Sequence, residues 1–570
     1  MRQPATKRQL DSRHAGADSS RGWSLFALYV WLTLMLPNVA LSISEPIGAW
    51  GAAANLLLPG GFYMLALAAS RRIGVTALCC FPWIFLAAFQ MVLVDLFGRS
   101  PIATDMWLNL VTTNPSEAGE LLAGLGWIVI LIVVAYLIDL IGGIVGCVRG
   151  VRLRRDTVSK ARIVGAALMA VGALCIIPAK SAGIGYTVGE GLFPVNTIVN
   201  LCRAVKVTRG TMNYHDTSRD YSFGAVSLLP DSVPQLYILV VGETSRAANW
   251  QLMGYERDTN PRLSRRDGVF TFSNVLSESN TTHKSVPMLL SSLNASTYDS
   301  LPAVKSIISA FREAGFATAV ITAQKRNHSY IEFFCNEADT TLWLAESVAD
   351  RPVTDMDLLT PVAERIAARA PRQMILVHAY GSHFEYRDRY PESMAHFMPD
   401  GPCKADKINR DKLINAYDNT IRTTDLILDS IASLAEAAGI RAAMIYTSDH
   451  GEDIFDGGRD NFLHASPVPT AMQVHVPMLL WLSGTYRADS PEAMPLLRAR
   501  QTTPVSSSRS YFHTALQMAG IATHASDATA SLLSPTYTHS NQLYLTDSNQ
   551  PLPLITLLNR YREPLPASLK

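Results

Sequence analysis

Three stretches of this sequence place metal-ligating or nucleophilic residue types directly after apolar runs. In "VVGETSRAANW", Val240 to Trp250, the run Leu236–Val241 stops at Gly242, and Glu243, Thr244, Ser245 and Arg246 follow at once. In "YGSH" a histidine, His383, follows the run Met374–Ala379; in "SDHGE" Asp449 and His450 follow Ala442–Thr447. Carboxylate oxygen and imidazole nitrogen together suit zinc, and a catalytic zinc keeps one position for the reacting group. Glu243, Asp449 and His450 supply three such ligands. A nucleophile is offered by "SNTTHKSVPMLLSS", Ser279 to Ser292, where Thr281 and Thr282 precede an apolar segment that reads as a helix. Hydroxyls there serve either as N-caps or as an attacking oxygen at a helix end that favours phosphate. Lys325 and Arg326 follow a further apolar run and suit either a phosphate or a solvated face. His378, inside a run, reads as a packed histidine.

These residues need a scaffold that gathers strand ends. Strand-like runs at Leu236–Val241, Ala317–Ala323, Met374–Ala379, Ala442–Thr447 and Val476–Leu482 alternate with helical patterns at 303–314, 355–370 and 409–438. That alternation predicts a mostly parallel sheet sandwiched by helices. In such sheets ligands bind outside the carboxyl ends of the strands.

Ahead of this part lies a different composition. Apolar stretches at 23–43, 52–70, 75–97, 122–148 and 163–180 approach the roughly 20 residues a bilayer-spanning helix needs. The second is interrupted by Pro59, Gly60 and Gly61. The first lacks a convincing cleavage site and is read as a span, not a signal peptide. Basic residues cluster before span one, at Arg71 and Arg72, and from Arg149 to Arg162, while the other loops carry only Arg99. This alternation predicts a cytoplasmic N-terminus and a globular part outside the cytoplasm. The expected organisation is a five-helix membrane domain over 1–180, a connector over 181–230 and a catalytic domain over 231–570. Net charge is +1, from 49 basic and 48 acidic residues, which gives no argument for nucleic acid. Cys202, Cys335 and Cys403 lie beyond the spans, outside the cytoplasm, where disulfides can form; a Cys335–Cys403 disulfide is one option that the sequence leaves open.

The segments "VVGETSRAANWQLMGYERDTNPRL", "SDHGE" and "NAYDNT" (Asn415 to Thr420) resemble the phosphoethanolamine transferases of Gram-negative envelopes, within the alkaline phosphatase and sulfatase superfamily. The resemblance covers nearly the whole chain, because membrane spans followed by a periplasmic domain are also the family plan. It implies transfer of phosphoethanolamine from phosphatidylethanolamine to a lipopolysaccharide or periplasmic glycan acceptor. The chain would sit in the inner membrane and use one zinc, with a second zinc or the donor headgroup near His383 and His464 (in "FLH"). The implied zinc ligands are Glu243, Thr282, Asp449 and His450. The implied nucleophile lies five positions before Pro287, which selects Thr282, and His383 or His464 would protonate the leaving alcohol. In "LNLVTTNPSEAGEL", Asn109, Thr113 and Glu117 match residues implicated in donor binding. Lipid A modifying members place cysteines at the positions held here by Glu278 and Met288, which points to an acceptor such as a core sugar. The rival readings are a phosphoglycerol transferase, a sulfatase-like hydrolase and a non-catalytic membrane scaffold. The modified Cys or Ser followed by Pro-x-Arg of sulfatases does not occur here.

Overall fold

The strand Gln235–Gly242 is buried at every position, so it must be covered on both faces. It forms the centre of a seven-stranded sheet in a computed structural model that describes residues 7–97, 101–112, 127–181, 186–348, 351–459, 461–539 and 541–564. Across the sheet the order is Val269–Phe272, Met478–Leu482, Arg441–Ser448, Gln235–Gly242, Arg372–His378, Ala317–Thr322 and Thr340–Trp343. Alternate residues feed two cores. Leu236, Ile238 and Val240 pack in one cluster with Tyr417, Leu428 and Ile431 of the helix Arg410–Ala437. Tyr237, Leu239 and Val241 face the other way, in a cluster with the helices Thr282–Leu289, Ile307–Glu313 and Ser507–Met518.

Five strands run parallel from Arg441–Ser448 to Thr340–Trp343. Met478–Leu482 departs from the parallel expectation: it pairs antiparallel with both of its neighbours. The reason is the path of the chain. After Ser448 it stays at the carboxyl edge through residues 449–475, so the next strand starts at that edge and runs back down.

The chain divides into two compact units, one built from Met1–Trp107 and Leu121–Val205, the other from Leu108–Glu120 and Lys206–Lys570. The first unit has four helices long and apolar enough to cross a membrane: Arg21–Ser44, Gly48–Leu67, Trp127–Val148 and Arg155–Ser181. The pair Ile73–Cys79 and Phe81–Asp95, bent by 57°, makes a fifth span if counted as one. Pro59, Gly60 and Gly61 do not interrupt Gly48–Leu67, which is one helix through all three. A proline inside a helix frees the carbonyl four residues back. Here that carbonyl, of Asn55, accepts from Asn38 Nδ2 at 3.0 Å. Gly61 lets the helix Arg155–Ser181 approach so closely that a Cβ there would lie 2.4 Å from the Gly165 oxygen.

Cys335 and Cys403 are both free thiols. Cys335 lies in the core on one face of the sheet, while Cys403 packs against the core on the other. The sheet therefore separates the pair that the sequence left open.

Two of the distinctive sequence segments meet across the fold. Asp418, in "NAYDNT", accepts from Asn249 Nδ2 at 2.6 Å, Arg257 Nη1 at 2.7 Å and Tyr255 Oη at 3.0 Å. All three donors belong to the segment after Glu243. Removing a buried acceptor strands its donors, which costs more than the bonds themselves. Asp418→Ala is therefore expected to lower stability by about 3 kcal/mol, measured as the thermal or urea midpoint of the detergent-purified chain.

Candidate metal centre and active site

The carboxyl ends of the two central strands put Glu243, Asp449 and His450 side by side. One ligand atom from each lies within 4.8 Å of the others, and all three residues are buried. Thr282 joins them: its Oγ1 donates to Glu243 Oε1 at 2.7 Å and lies 3.1 Å from His450 Nε2. Thr282 opens the helix Thr282–Leu289. Thr281 occupies the N-cap position, but its side chain makes no capping bond; its Oγ1 meets Ser279 Oγ at 3.1 Å.

The local fold leaves these groups little choice of orientation. Thr244, at a left-handed φ of 59°, turns the chain after Glu243. Tyr417 Oη donates to the Thr244 carbonyl at 2.8 Å and accepts from Arg246 N at 2.9 Å, which pins the turn. Asp449 Oδ1 accepts from Thr244 N at 3.0 Å and from His450 N at 2.7 Å, so its Oδ2 is the oxygen directed at His450, 3.2 Å from Nε2. Arg246 turns away from the cluster, into a buried ion pair with Asp456 at 2.6 Å.

The residues present fit a cation. His450 Nδ1 lies 3.0 Å from the Gly451 carbonyl, an acceptor, so Nδ1 carries the proton. Burial and the neighbouring His464 hold the ring well below its ordinary pKa, so it is neutral and Nε2 presents a lone pair. That lone pair faces Asp449 Oδ2 at 3.2 Å and Glu243 Oε1 at 3.6 Å. Burial also pushes the Asp449 carboxyl up. Three electron-rich atoms aimed at one another in a dry interior are costly unless a positive charge lies between them. Carboxylate, imidazole and a threonine oxygen form a donor set suited to zinc.

Two further histidines stand beside the cluster. The ring of His464 lies 4.3 Å from that of His450, and that of His383 lies 5.7 Å from His464. His464 Nδ1 donates to Glu452 Oε2 at 3.1 Å, which leaves its Nε2 for a ligand. His383 Nδ1 donates to the Phe384 carbonyl at 2.7 Å. Burial, with His464 and Arg389 adding, lowers His383 to about 3, so it is a neutral ring. His378 is buried inside its strand.

Lys325 is exposed, and the residue before it is the one directed inward. Gln324 Nε2 donates to Glu243 Oε2 at 3.4 Å and to the Ala379 carbonyl at 3.1 Å. Asn109 lies on the helix Thr104–Thr112, but its side chain falls outside the described residues, as do Thr113 and Glu117. Sequence reasoning missed Gln324, although its place after a strand end was a signal. It also missed Asp355, whose two carboxylate oxygens accept from Tyr380 N and Gly381 N, each at 2.7 Å. Asp355 thereby anchors the loop that carries His383. Gly381, at φ 56°, lies so close to Glu243 that a Cβ would sit 2.4 Å from the Glu243 backbone carbonyl oxygen. Nothing local in the sequence marks Asp355. Glu278 is fully buried; its oxygens accept from Ala295 N at 2.7 Å and Ser506 Oγ at 2.6 Å. Hydrogen bonds thus hold the segment before Thr282.

The family model for sulfatases matches residues 235–521, half of the chain. The chain belongs to the sulfatase family. Within it, the chain is similar to the phosphoethanolamine transferase EptA of Salmonella typhimurium, 31% identical over 314 residues, which are 53% of this chain and 56% of that protein. The chain spans about half the length of the curated relatives it matches. Among solved structures, the integral membrane lipooligosaccharide phosphoethanolamine transferase A of Neisseria meningitidis aligns with a TM-score of 0.68 at 20% identity, over 89% of this chain and 98% of that one. The C-terminal periplasmic domain of EptC from Escherichia coli, solved in complex with Zn, aligns with a TM-score of 0.53 at 24% identity, over 58% of this chain and 95% of that one. The first likeness establishes the architecture, membrane helices joined to an α/β domain, and the second covers the α/β domain alone.

Asp449→Ala removes one metal-facing oxygen and the acceptor that orders Thr244 and His450. Elemental analysis of the purified chain is expected to show bound divalent metal lost in this variant; an unchanged metal content would discard the ligand assignment.

Proposed function

We propose that this chain transfers phosphoethanolamine from phosphatidylethanolamine to a lipopolysaccharide or periplasmic glycan acceptor, by way of a phosphoethanolamine ester on Thr282. The observation that carries the reading is the convergence of the Thr282 hydroxyl with Glu243, Asp449 and His450 at the start of a helix. The names of the relatives supply the headgroup. Zinc is the proposed metal, held by Glu243, Asp449, His450 and the Thr282 oxygen, and when bound it would supply the positive charge that lowers the pKa of the threonine hydroxyl.

The remaining work falls to the chain's own residues. Glu243 Oε1, 2.7 Å away, orients the Thr282 hydroxyl, which loses its proton to water as Oγ1 attacks phosphorus. The bond from phosphorus to the diacylglycerol oxygen breaks, and the departing oxygen takes a proton from His464, whose ring is oriented by Glu452, while His383, a neutral ring with its Nδ1 hydrogen on the Phe384 carbonyl, would accept a hydrogen bond from the donor headgroup. An acceptor hydroxyl or phosphate then attacks the same phosphorus, Thr282 is released, and its oxygen recovers a proton. The helix start stabilises the phosphate through its partial positive charge. Gln324 and Asp355 act earlier, by fixing the Glu243 carboxylate and the His383 loop. Asn109, Thr113, Glu117 and Lys325 are proposed to bind the donor. In this reading the chain lies in a bacterial inner membrane, N-terminus in the cytoplasm and globular unit in the periplasm. The distribution of basic residues supports that orientation.

Thr281 and Thr282 are adjacent, so they give a sharp test. Trapping the chain with donor lipid and no acceptor is expected to add one phosphoethanolamine mass to Thr282, read by peptide mass spectrometry. Thr282→Ala should abolish the adduct and turnover. Thr281→Ala, which loses only a contact with Ser279, should keep most of both. An adduct on Thr281, or one that survives in Thr282→Ala, overturns the assignment.

A further inference from the structure

The matched family region ends at residue 521, yet a later segment reaches the candidate site. The strand Leu543–Leu545 pairs with Pro551–Pro553 and is followed by the helix Leu554–Arg560. Tyr544 is buried in an apolar cluster with Leu276, Val474, Leu554, Leu557 and Leu558. Three consecutive residues of this tail bind around Thr282. Tyr544 Oη donates to Asn280 Oδ1 at 2.6 Å, Leu545 N donates to the Glu278 carbonyl at 2.7 Å, and the Thr546 carbonyl accepts from Lys284 Nζ at 3.0 Å.

Asn280 passes the contact on. With its oxygen taken by Tyr544, its Nδ2 donates to Gln473 Oε1 at 2.6 Å and to the Ser466 carbonyl at 2.8 Å, while its own carbonyl accepts from Ala465 N at 3.2 Å. Gln473 Nε2 in turn donates to the Leu463 carbonyl at 3.1 Å and to Asp453 Oδ2 at 2.9 Å. Both neighbours of His464 are thus gripped. Both are also held where side chains rarely go, Leu463 at φ 66° and Ala465 at φ 59°. Such backbone persists only when its surroundings over-determine it. The Tyr544 hydroxyl fixes which way the Asn280 amide faces, and the amide is the shared bracket between the Thr282 segment and the His464 segment.

We infer that Tyr544 is a positioning residue of the active site: acting through Asn280 and Gln473, the tail sets the Thr282 hydroxyl and the His464 ring at a fixed separation. The effect on transfer rests on the proposed function; the relay itself does not. The test uses the full chain in lipid nanodiscs. Tyr544→Phe removes one hydroxyl and keeps the ring in its cluster. Hydrogen exchange in a peptide covering 461–467 is expected to speed up about tenfold. The kcat for headgroup transfer should fall about tenfold, with KM for phosphatidylethanolamine and metal content unchanged. Ala465→Gly, which relieves the backbone, should raise Tm while lowering kcat. Wild-type exchange in 461–467 for Tyr544→Phe, or a lower Tm with unchanged kcat per folded molecule, overturns the inference, as does Ala465→Gly with raised Tm and undiminished kcat. Should the wild-type chain transfer no phosphoethanolamine, the functional reading falls, and the exchange measurement still decides the relay.

Discussion

The electrostatic problem at the ends of the two central strands governs this globular unit. Two buried carboxylates and a buried, neutral imidazole face one another and the oxygen of a half-buried threonine. Left to themselves they would protonate, rotate apart or draw solvent in. The surrounding structure prevents each escape. Backbone N–H groups of Thr244 and His450 hold one oxygen of Asp449, Gln324 holds one of Glu243, and the Gly451 carbonyl fixes the His450 tautomer. Under the proposed function such rigidity has a chemical use: the groups would not need to reorganise when charge develops on a reacting phosphate.

The outer parts of the fold support that arrangement through buried polar contacts rather than through hydrophobic packing alone. Tyr417 holds the turn after Glu243, Asp418 holds the segment beyond it, and Asp355 ties down the His383 loop. Each carboxylate or hydroxyl takes donors from chain segments far away in sequence. A buried group with several bonds to distant partners defines one geometry, whereas apolar contacts tolerate several.

This explains which features were legible in the sequence. Strand runs and the residues that end them are local patterns, so Glu243, Asp449, His450 and His383 could be read directly; the residues alone left Thr281 and Thr282 open, and only the family resemblance pointed to Thr282. The antiparallel course of Met478–Leu482 could not be read, because an apolar run has no visible direction. The helix through Pro59, Gly60 and Gly61 was obscured because these residues interrupt helices in water but pack well against neighbouring helices in a bilayer. Gln324 was overlooked for the more conspicuous lysine beside it. Asp355 and the tail around Tyr544 carry no motif at all; their role exists only in the folded chain, where residues such as 280, 465, 473 and 544 come together.

The proline in the helix Gly48–Leu67 bears on how the protein is made. Its missing bond leaves the Asn55 carbonyl dependent on the Asn38 amide, and Asn55 Nδ2 in turn donates to the Asn38 carbonyl at 3.0 Å. A helix with such a debt to its predecessor is poorly suited to leave the insertion machinery alone, since an unmatched carbonyl in hydrocarbon is expensive. The first two spans are suited to enter the bilayer together, as a helical hairpin already joined through its asparagines. Biogenesis of the membrane unit would then begin with a two-helix step, and a change at Asn38 would act on delivery to the membrane before it acted on anything the finished protein does.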